Sequence, residues 1–211
     1  MRYINKTRFF ILIVILTLLF SILVSYAKYV SSDISESVVR LHIIANSNSD
    51  TDQQLKLKVR DRILNEVTHI FDKSVSPKEA LRYAKQNSKL ISQIASDEIK
   101  SQGFDYDINV NIGKFPFPTK VYNDIMLPAG SYNAVRIEIG AAKGENWWCV
   151  MYPPLCFTDG VVSISEESRN QLKDNLSESE YNLITGQDSG AVPVEIRFKI
   201  VEILQGLFNK N

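Results

Sequence analysis

The sequence predicts an α+β fold, in which an antiparallel or mixed sheet of about four to five strands has its helices packed mainly on one face. Two observations predict this class. Two amphipathic helices with capping residues follow a β-branched segment in the first half of the chain. In the second half, short segments of alternating apolar and polar residues follow one another, which favours antiparallel pairing.

The composition sets limits on the class of protein. Hydrophobic residues make up 45% and charged residues 23% of the 211 positions, so the chain can form a real core. The 24 Lys and Arg side chains equal the 24 Asp and Glu side chains. This balance argues against a general nucleic-acid binder, which would carry a basic excess. A single long apolar run excludes a membrane protein with several spans.

That apolar run lies near the N-terminus and predicts export. Residues 9–24 carry no charge and follow the cations Arg2, Lys6 and Arg8. Ala27 ends a Ser-Tyr-Ala sequence, with small residues at the two positions that determine cleavage. This order is typical of a secretory signal peptide cleaved after Ala27, and an uncleaved membrane anchor is the alternative. The rest of the chain carries a net negative charge.

The domain organisation follows from this division. We predict a signal peptide or membrane anchor over residues 1–27, a polar linker over 28–37 and one extracytoplasmic α+β domain over 38–211. Within that domain, the Ser-rich segment 163–190 has a thin apolar stripe. We therefore expect this segment to be loosely packed.

The domain begins with a predicted strand and a predicted helix. Residues 38–45 are rich in β-branched side chains and predict a strand, which the cap and turn residues 46–50 follow. Apolar residues at helical spacing then predict a helix over residues 51–71. Asp50 and Gln53 have the spacing of a capping box at its start.

The second predicted helix has the strongest local signals. Ser76, Pro77 and Glu79 match the N-cap, the first helical position and the third one. The apolar spacing continues as far as Gly103, a residue type that commonly ends helices. We therefore predict one helix between Ser76 and Gly103.

Further strands are predicted in the second half. Residues 106–112 and 135–139 alternate between apolar and polar side chains, and residues 147–152 form a third strand. The Phe-Pro-Phe-Pro sequence at 115–118 either breaks the sheet or forms its edge, because proline cannot donate to the ladder. In the tail, residues 194–208 fit a helix better than a strand, although both patterns are present.

The two cysteines offer a possible disulfide. In an oxidising compartment, Cys149 and Cys156 could pair across the turn that Pro153 and Pro154 favour. Two buried free thiols are the alternative.

An extracytoplasmic cysteine-dependent hydrolase is the competing enzymatic interpretation, and an envelope binding module with another partner is the other alternative. Cys149 or Cys156 could be the nucleophile, with His42 as its base and Asn46 orienting that base. No nucleophile signature surrounds either cysteine. His42 and His69 are far from each other and from the cysteines in sequence, so no metal site is predicted. No nucleotide-binding motif is present, so no cofactor is predicted either.

The adjacent residues Trp147 and Trp148 lie on a predicted strand, so their rings point to opposite faces of the sheet. One ring can enter the core while the other is exposed or covered. An exposed ring would serve as an interface anchor, and core packing is the alternative for each ring.

Several separate motifs resemble the stage II sporulation protein R family. They are residues 40–47 (RLHIIANS), 53–61 (QQLKLKVRD), 127–130 (LPAG), 144–150 (GENWWCV) and 152–157 (YPPLCF). The resemblance covers about residues 38–160. It implies a signalling protein of endospore formation that the forespore exports into the space between the forespore and mother-cell membranes.

The same resemblance implies a partner. Such proteins activate a membrane-embedded aspartic protease of the mother cell, and that protease removes the pro-sequence of the sigma factor sigma-E. The chain would thus be an activator and not an enzyme, without a nucleic-acid partner. Residues 9–24 would hold it in the membrane if they are not cleaved.

We predict the partner-binding surface at the polar end of the first strand, beside the capped helix. The candidate residues are Arg40, His42, Asn46, Ser47 and Asp50, with Trp147 and Trp148 as a second group. Helix capping is an equally good explanation of residues 46–50. A single satisfied hydrogen bond would explain His42.

Overall fold

The computed structural model describes residues 6–71, 76–155 and 164–186. Within these ranges the chain forms six helices and six strands. In chain order they are α1 Lys6–Glu36, β1 Val39–Ile44, α2 Asp50–Phe71, α3 Pro77–Gln86, α4 Ser88–Ser101, β2 Ile108–Phe117, β3 Lys120–Tyr122, β4 Ile125–Leu127, β5 Gly130–Ile139, β6 Asn146–Tyr152, α5 Glu166–Asp174 and α6 Glu178–Thr185. The predicted α+β class is confirmed.

The main sheet is mixed and has the strand order β2-β5-β1-β6. β1 runs parallel to β5 and antiparallel to β6, while β2 and β5 are antiparallel. The helices α2, α3 and α4 lie in the connection that makes the parallel arrangement possible. A separate hairpin of two short strands, β3 and β4, was not predicted.

Strand alternation divides the sheet into two different faces. On the helix face, Leu41 and Ile43 of β1 and Val135 and Ile137 of β5 form one apolar cluster with α2, α3 and α4. The helical members that this cluster buries most deeply are Val59, Ile63, Val67, Ala80, Ala84, Ile91 and Ala95. The predicted stripe of α2 therefore packs as expected.

The opposite side, the hairpin face, is covered by different elements. Its apolar cluster contains Phe117, Ile125 and Leu127 from β2 and the hairpin, together with Tyr132 of β5. The helices α5 and α6, in the segment predicted to be loosely packed, contribute one almost completely buried side chain each. These side chains are Leu172 and Ile184, whose exposed fractions are 0% and 1%.

The end of α1 also packs on the hairpin face. Residues 28–37 were predicted as a polar linker, but α1 continues to Glu36, and Ile34 is fully buried. Glu36 accepts hydrogen bonds from Lys114 and Asn133. Residues 34–37 are therefore part of the domain. Among the described residues, no helix is both long enough and apolar enough to cross a membrane.

The start of α2 differs by one residue from the prediction. Ser49, and not Asp50, caps the helix, because its hydroxyl accepts a hydrogen bond from the Asp52 amide at 3.2 Å. The Gln53 side chain donates to the Ser47 carbonyl oxygen at 2.8 Å instead of completing a capping box. Asp50 is consequently left exposed on the first turn.

The single helix predicted between Ser76 and Gly103 is interrupted at Asn87. The Asn87 side chain donates to the Tyr83 carbonyl oxygen at 2.9 Å, which satisfies the end of α3 before α4 begins. The predicted ends are confirmed. Ser76 accepts from the Glu79 amide, and Gly103 has a φ of 81° just after α4.

The remaining predictions concern β2 and the tail. Pro116 lies inside β2, opposite Ser131, and β2 is an edge strand, so the edge alternative is confirmed. The predicted tail element at 194–208 lies outside the described residues.

Candidate functional site

The predicted site residues lie in three different places. Asn46, Ser47 and Asp50 lie in the loop after β1, while Arg40, His42 and Trp148 lie on the hairpin face and Trp147 on the helix face. The sequence prediction that the two tryptophans face opposite sides of the sheet is confirmed. The predicted residues therefore do not form one continuous surface.

The loop after β1 is organised around Asp52, whose exposed fraction is 4%. One of its carboxylate oxygens accepts hydrogen bonds from Asn46 Nδ2 at 2.9 Å and from Ser47 Oγ at 2.5 Å. Burial acts to raise the pKa of Asp52, but the hydrogen bonds from Ser47 and Asn46 outweigh it and lower this pKa. Asn46 and Ser47 thus hold an ionised carboxylate inside the loop.

The same loop is joined to the turn between β5 and β6. Asn46 Oδ1 accepts from the Ala141 amide at 2.9 Å, and Asn48 Oδ1 accepts from the Glu145 amide at 2.7 Å. We call residues 45–49 and 140–145 together the strand-end junction. Its hydrogen bonds give Asn46 a structural role.

Glycine allows the two halves of this junction to approach. A Cβ atom at Gly144 would lie 2.2 Å from the Ser47 carbonyl oxygen, and one at Gly140 would lie 2.4 Å from Asn46 Oδ1. Gly140 also has a φ of 55°, which favours glycine. The junction therefore depends on glycine at both positions. Its outer rim, where Asn48, Ser49 and Asp50 are exposed, is the part that a partner could reach.

The hairpin face contains a buried arginine. Arg40 has an exposed fraction of 0%, and its guanidinium carbon lies 4.1 Å from the ring centre of Phe117 and 4.7 Å from that of Tyr132. Arg40 Nη2 donates to the Tyr122 hydroxyl at 2.5 Å. Because Arg40 is buried, a partner cannot contact it in this conformation.

Both tyrosine hydroxyls beside Arg40 are neutral. Burial raises the pKa of Tyr122 and of Tyr132, and it outweighs the opposing effect of the Arg40 charge. The Tyr122 hydroxyl is thus a hydrogen-bond acceptor for the guanidinium and not a counter-ion.

His42 lies beside this cluster and is also almost buried, with an exposed fraction of 7%. Its Nε2 donates to Asn146 Oδ1 at 2.7 Å, and its ring stacks on Trp148 with centres 5.7 Å apart. Burial lowers the pKa of His42, the Asn146 hydrogen bond opposes this, and the Arg136 charge lowers the pKa further. His42 is therefore neutral at pH 7.

Cations lie over both tryptophans. On the hairpin face, Lys120 Nζ lies 4.6 Å from the ring centre of Trp148. On the helix face, the Arg60 guanidinium lies 4.3 Å from that of Trp147. Both rings are partly buried. Each tryptophan thus packs as predicted for a core-associated ring, and each keeps some exposed surface.

The predicted hydrolase residues are not brought together. Cys149 packs in the helix-face cluster, whereas His42 lies on the hairpin face. Asn46 bonds to Asp52 and to the 140–145 turn, so it is not the partner that orients His42. Cys156 lies outside the described residues, so the disulfide stays a prediction. No group of three His, Cys, Asp or Glu side chains in the described ranges could hold a metal ion.

Two comparisons with known proteins identify the family. Residues 35–162 match the model of the family described as stage II sporulation protein R. The chain is also 33% identical to stage II sporulation protein R of Bacillus subtilis (strain 168) over 223 aligned positions, which cover 97% of this chain and 100% of that protein. The chain belongs to the stage II sporulation protein R family. No solved structure matches it.

Membership of the stage II sporulation protein R family gives the chain a role in sporulation. The matched residues run from the end of α1 through β6. They include both the strand-end junction and the strands of the hairpin face.

The sequence analysis missed some residues of the hairpin face. Tyr122 and Lys120 belong to the unpredicted hairpin, and Arg136 was assigned to the polar side of a predicted strand. An available signal was Asn123-Asp124 between two β-branched or apolar segments, because Asn tolerates the φ of 55° that Asn123 adopts. No comparable signal predicted the burial of Arg40, since arginine is normally exposed.

Proposed function

We propose that this protein is an exported signalling protein of endospore formation, which activates a membrane-embedded aspartic protease of the mother cell. That protease would then remove the pro-sequence of sigma-E. Membership of the stage II sporulation protein R family carries this proposal. The role in sporulation follows from the family, and the partner and the reaction are inferred from the resemblance.

The N-terminus supports the proposed location between the forespore and mother-cell membranes. The cations Arg2, Lys6 and Arg8 precede an uncharged run, which is the order found in export signals. In addition, the large apolar side chains of α1 between Phe9 and Ile22 are exposed. A continuous apolar surface of this kind requires an apolar environment or a partner. An export machinery or a lipid bilayer would provide it.

The separation of the predicted catalytic residues favours an activator over a cysteine-dependent hydrolase. A nucleophile and its base must lie within hydrogen-bond reach of each other. The side chains of Cys149 and His42 belong to opposite faces of the sheet. The proposed activator would therefore act by binding its partner.

We further propose that the protease contacts the outer rim of the strand-end junction. Asp50 is exposed on the first turn of α2, beside the exposed Asn48 and Ser49, and hydrogen bonds hold Asn48 and Ser49 in fixed positions. Rigid presentation of polar groups reduces the entropy lost on binding. His42 and Arg40, which were predicted for the same surface, are buried on the hairpin face and do not belong to this rim.

The proposal is tested by reconstitution in a non-sporulating bacterium. Co-expression of this chain, the protease and pro-sigma-E should increase the fraction of processed sigma factor, measured by immunoblot. Deletion of residues 1–27 should abolish this increase, because the domain would stay in the cytoplasm. Equal processing with and without the chain would refute the activator proposal. Unchanged processing after the deletion would refute the export requirement.

A charge reversal tests the proposed contact surface. Asp50→Lys should reduce processing about tenfold if this carboxylate meets a cation of the protease, since charge-assisted contacts are among the stronger hydrogen bonds. The matched control is Asp97→Lys, an exposed acidic residue on α4. Equal processing by the two variants would remove the junction rim from the proposed interface.

A further inference from the structure

The hairpin face has more hydrogen-bond donors than acceptors. Four donors, Arg40 Nε, Arg40 Nη1, Arg136 Nε and Trp148 Nε1, are buried without a hydrogen-bond partner within the described part of the chain, against one unpaired acceptor, His42 Nδ1. They lie on one side of three adjacent strands, because His42 lies opposite both Arg136 and Trp148 in the sheet register. Buried donors normally find an acceptor, so this concentration of unpaired donors requires an explanation.

The charge on the same face is also incompletely balanced. No carboxylate of the described residues lies within ion-pair distance of Arg40, and Glu138 already pairs with Arg136 at 2.6 Å. The aromatic faces of Phe117 and Tyr132 and the neutral Tyr122 hydroxyl are the contacts that compensate the Arg40 charge. Burying a cation without an anion is unfavourable, and apolar residues of similar volume would avoid this penalty.

The cover of Arg40 is a short hairpin that does not belong to the main sheet. Tyr122 belongs to β3, which pairs only with β4 in a sheet of two three-residue strands. A two-stranded hairpin has little stability of its own. The bond from Arg169 to Asp124 ties its turn to α5, at an exposed position. Displacement of Tyr122 would break its hydrogen bonds with Arg40 and with the Trp148 carbonyl oxygen but no ladder bond of the main sheet.

We infer that the hairpin face is a receptor for a carboxylate group carried by a peptide segment of a partner protein. The carboxylate would take the place of the Tyr122 hydroxyl on Arg40 Nη2 and accept a second hydrogen bond from the unpaired Nε on the same edge. A planar guanidinium matches a carboxylate through two parallel hydrogen bonds. One unpaired guanidinium matches the single charge of a carboxylate better than the double charge of a phosphate.

The outer side of the hairpin favours a peptide over a small free acid. Val121, between Lys120 and Tyr122, has an exposed fraction of 56%, which is the largest among the exposed apolar side chains described after α1. It offers a partner an apolar contact on the same strand that carries Tyr122. Lys120 adds positive charge next to Trp148. A peptide in which an apolar residue is next to an acidic one would contact Val121 on the outer side of β3 and Arg40 on its inner side. This inference is independent of which protein supplies the segment.

The test uses the full chain in detergent with Trp147→Phe, which leaves Trp148 as its one tryptophan. Two probes are titrated, N-acetyl-Val-Glu-amide and N-acetyl-Val-Gln-amide, which differ in the carboxylate alone. The Glu probe should give a saturable change in Trp148 emission, and the Gln probe should not. Arg40→Lys should weaken binding of the Glu probe about tenfold, because the planar pair of donors is lost.

Tyr122→Phe gives the opposite expectation and serves if Arg40→Lys fails to fold. Without the competing hydroxyl, the Glu probe should bind about two- to tenfold more tightly. Equal responses to the Glu and Gln probes, or an affinity that Tyr122→Phe leaves unchanged, would overturn the inference. If sodium acetate at constant ionic strength binds as tightly as the Glu probe, the peptide assignment is overturned and the site belongs to a free carboxylate.

Discussion

The two faces of the sheet bury their residues equally well but with opposite chemistry. Arg40 and Leu41 are neighbours on β1, and both have exposed fractions of 0%. Leu41 points into an apolar cluster under three helices, whereas Arg40 points at aromatic rings under a two-stranded hairpin. On the helix face the buried strand residues meet mainly apolar partners, although Trp147 Nε1 and the Tyr152 hydroxyl are unpaired there within the described ranges. On the hairpin face, cations and unpaired donors are buried with them.

This difference means that burial of a residue does not stabilise the fold to the same extent on both faces. Apolar burial on the helix face removes surface from water and stabilises the fold. On the hairpin face, the loss of hydration of Arg40 and His42 opposes that gain. A chain selected for stability alone would place apolar residues at these positions. The hairpin face is therefore the better candidate for a function that uses its polar groups.

The largest expected difference in stability is between substitutions of the two neighbours on β1, Leu41 and Arg40. Leu41→Ala should lower the free energy of unfolding by about 3 kcal/mol, because it leaves a cavity in the apolar cluster. Arg40→Met should change it by less than about 1 kcal/mol, because the lost ring contacts are offset by the removal of a buried charge. Chemical denaturation of both variants measures the two values. A loss for Arg40→Met as large as that for Leu41→Ala would mean that the two faces stabilise the fold alike.

The next effect concerns the strand-end junction, which both faces share. Gly144→Ala should cost about 2 kcal/mol, because the added Cβ would meet backbone atoms of Ser47 at 2.2 and 2.6 Å. The matched control is Gly113→Ala on β2, where the nearest atom is 4.0 Å away. That variant should unfold within about 0.5 kcal/mol of the natural chain. Similar losses in both variants would contradict the close approach at the junction.

A smaller effect is a pH dependence of the free energy of unfolding, which we expect from His42 on the hairpin face. The folded-state pKa of His42 is lowered from 6.5, first by burial and then by the Arg136 charge, against the effect of Asn146. The unfolded state therefore binds a proton at a higher pH than the folded state. Below about pH 6.5, the free energy of unfolding should fall by at most about 1.4 kcal/mol per pH unit.

Substitution isolates this contribution. His42→Gln keeps a polar group near Asn146 but does not titrate, so its unfolding free energy should depend less on pH between about 6.5 and 5. Both proteins retain His69, which therefore cancels in the difference. Parallel pH profiles of the two proteins would show that His42 does not carry the dependence.

The smallest expected effect on stability concerns the β3–β4 hairpin. Arg169 donates to both carboxylate oxygens of Asp124, at 2.8 and 2.6 Å, and these bonds lower the pKa of Asp124. Asp124→Asn should cost about 0.5 kcal/mol, because the pair is partly exposed. Its clearest result should be faster hydrogen exchange of the β3 and β4 amides.

The control for this prediction is an ion pair on the helix side of the sheet. Glu66→Gln removes the pair with Arg62 on α2, which is similarly exposed. It should cost a comparable amount without changing exchange in the hairpin. If both variants accelerate exchange equally, Arg169 does not hold the hairpin closed.

Local signals predicted the elements well. The N-cap at Ser76, the stop at Gly103 and the alternation in β2 and β5 depend on residues near one another in sequence, and the structure contains all of them. The interruption at Asn87 was missed because asparagine is only mildly unfavourable inside a helix, and here its side chain caps the preceding turn.

The pairing of the strands and the burial of individual side chains were harder to predict from the sequence. The parallel pairing of β1 with β5 depends on how α2 to α4 cross the sheet, which periodicity does not report. The residues predicted for one partner surface were adjacent in sequence, but the alternation of β1 and the burial of Arg40 distribute them over different sides. The junction was predicted as helix capping or recognition, and its main contacts are long-range hydrogen bonds to residues 140–145.

The central position of β1 delays completion of the sheet. β1 is the first strand to be synthesised, yet Arg40 lies between Ala134 of β5 and Val150 of β6, far along the chain. Contacts at such sequence separation make folding slow, because a long loop must close before they form. The main sheet therefore stays incomplete until β5 and β6 have been synthesised. For an exported chain, as proposed above, this timing would suit threading through a narrow translocation channel.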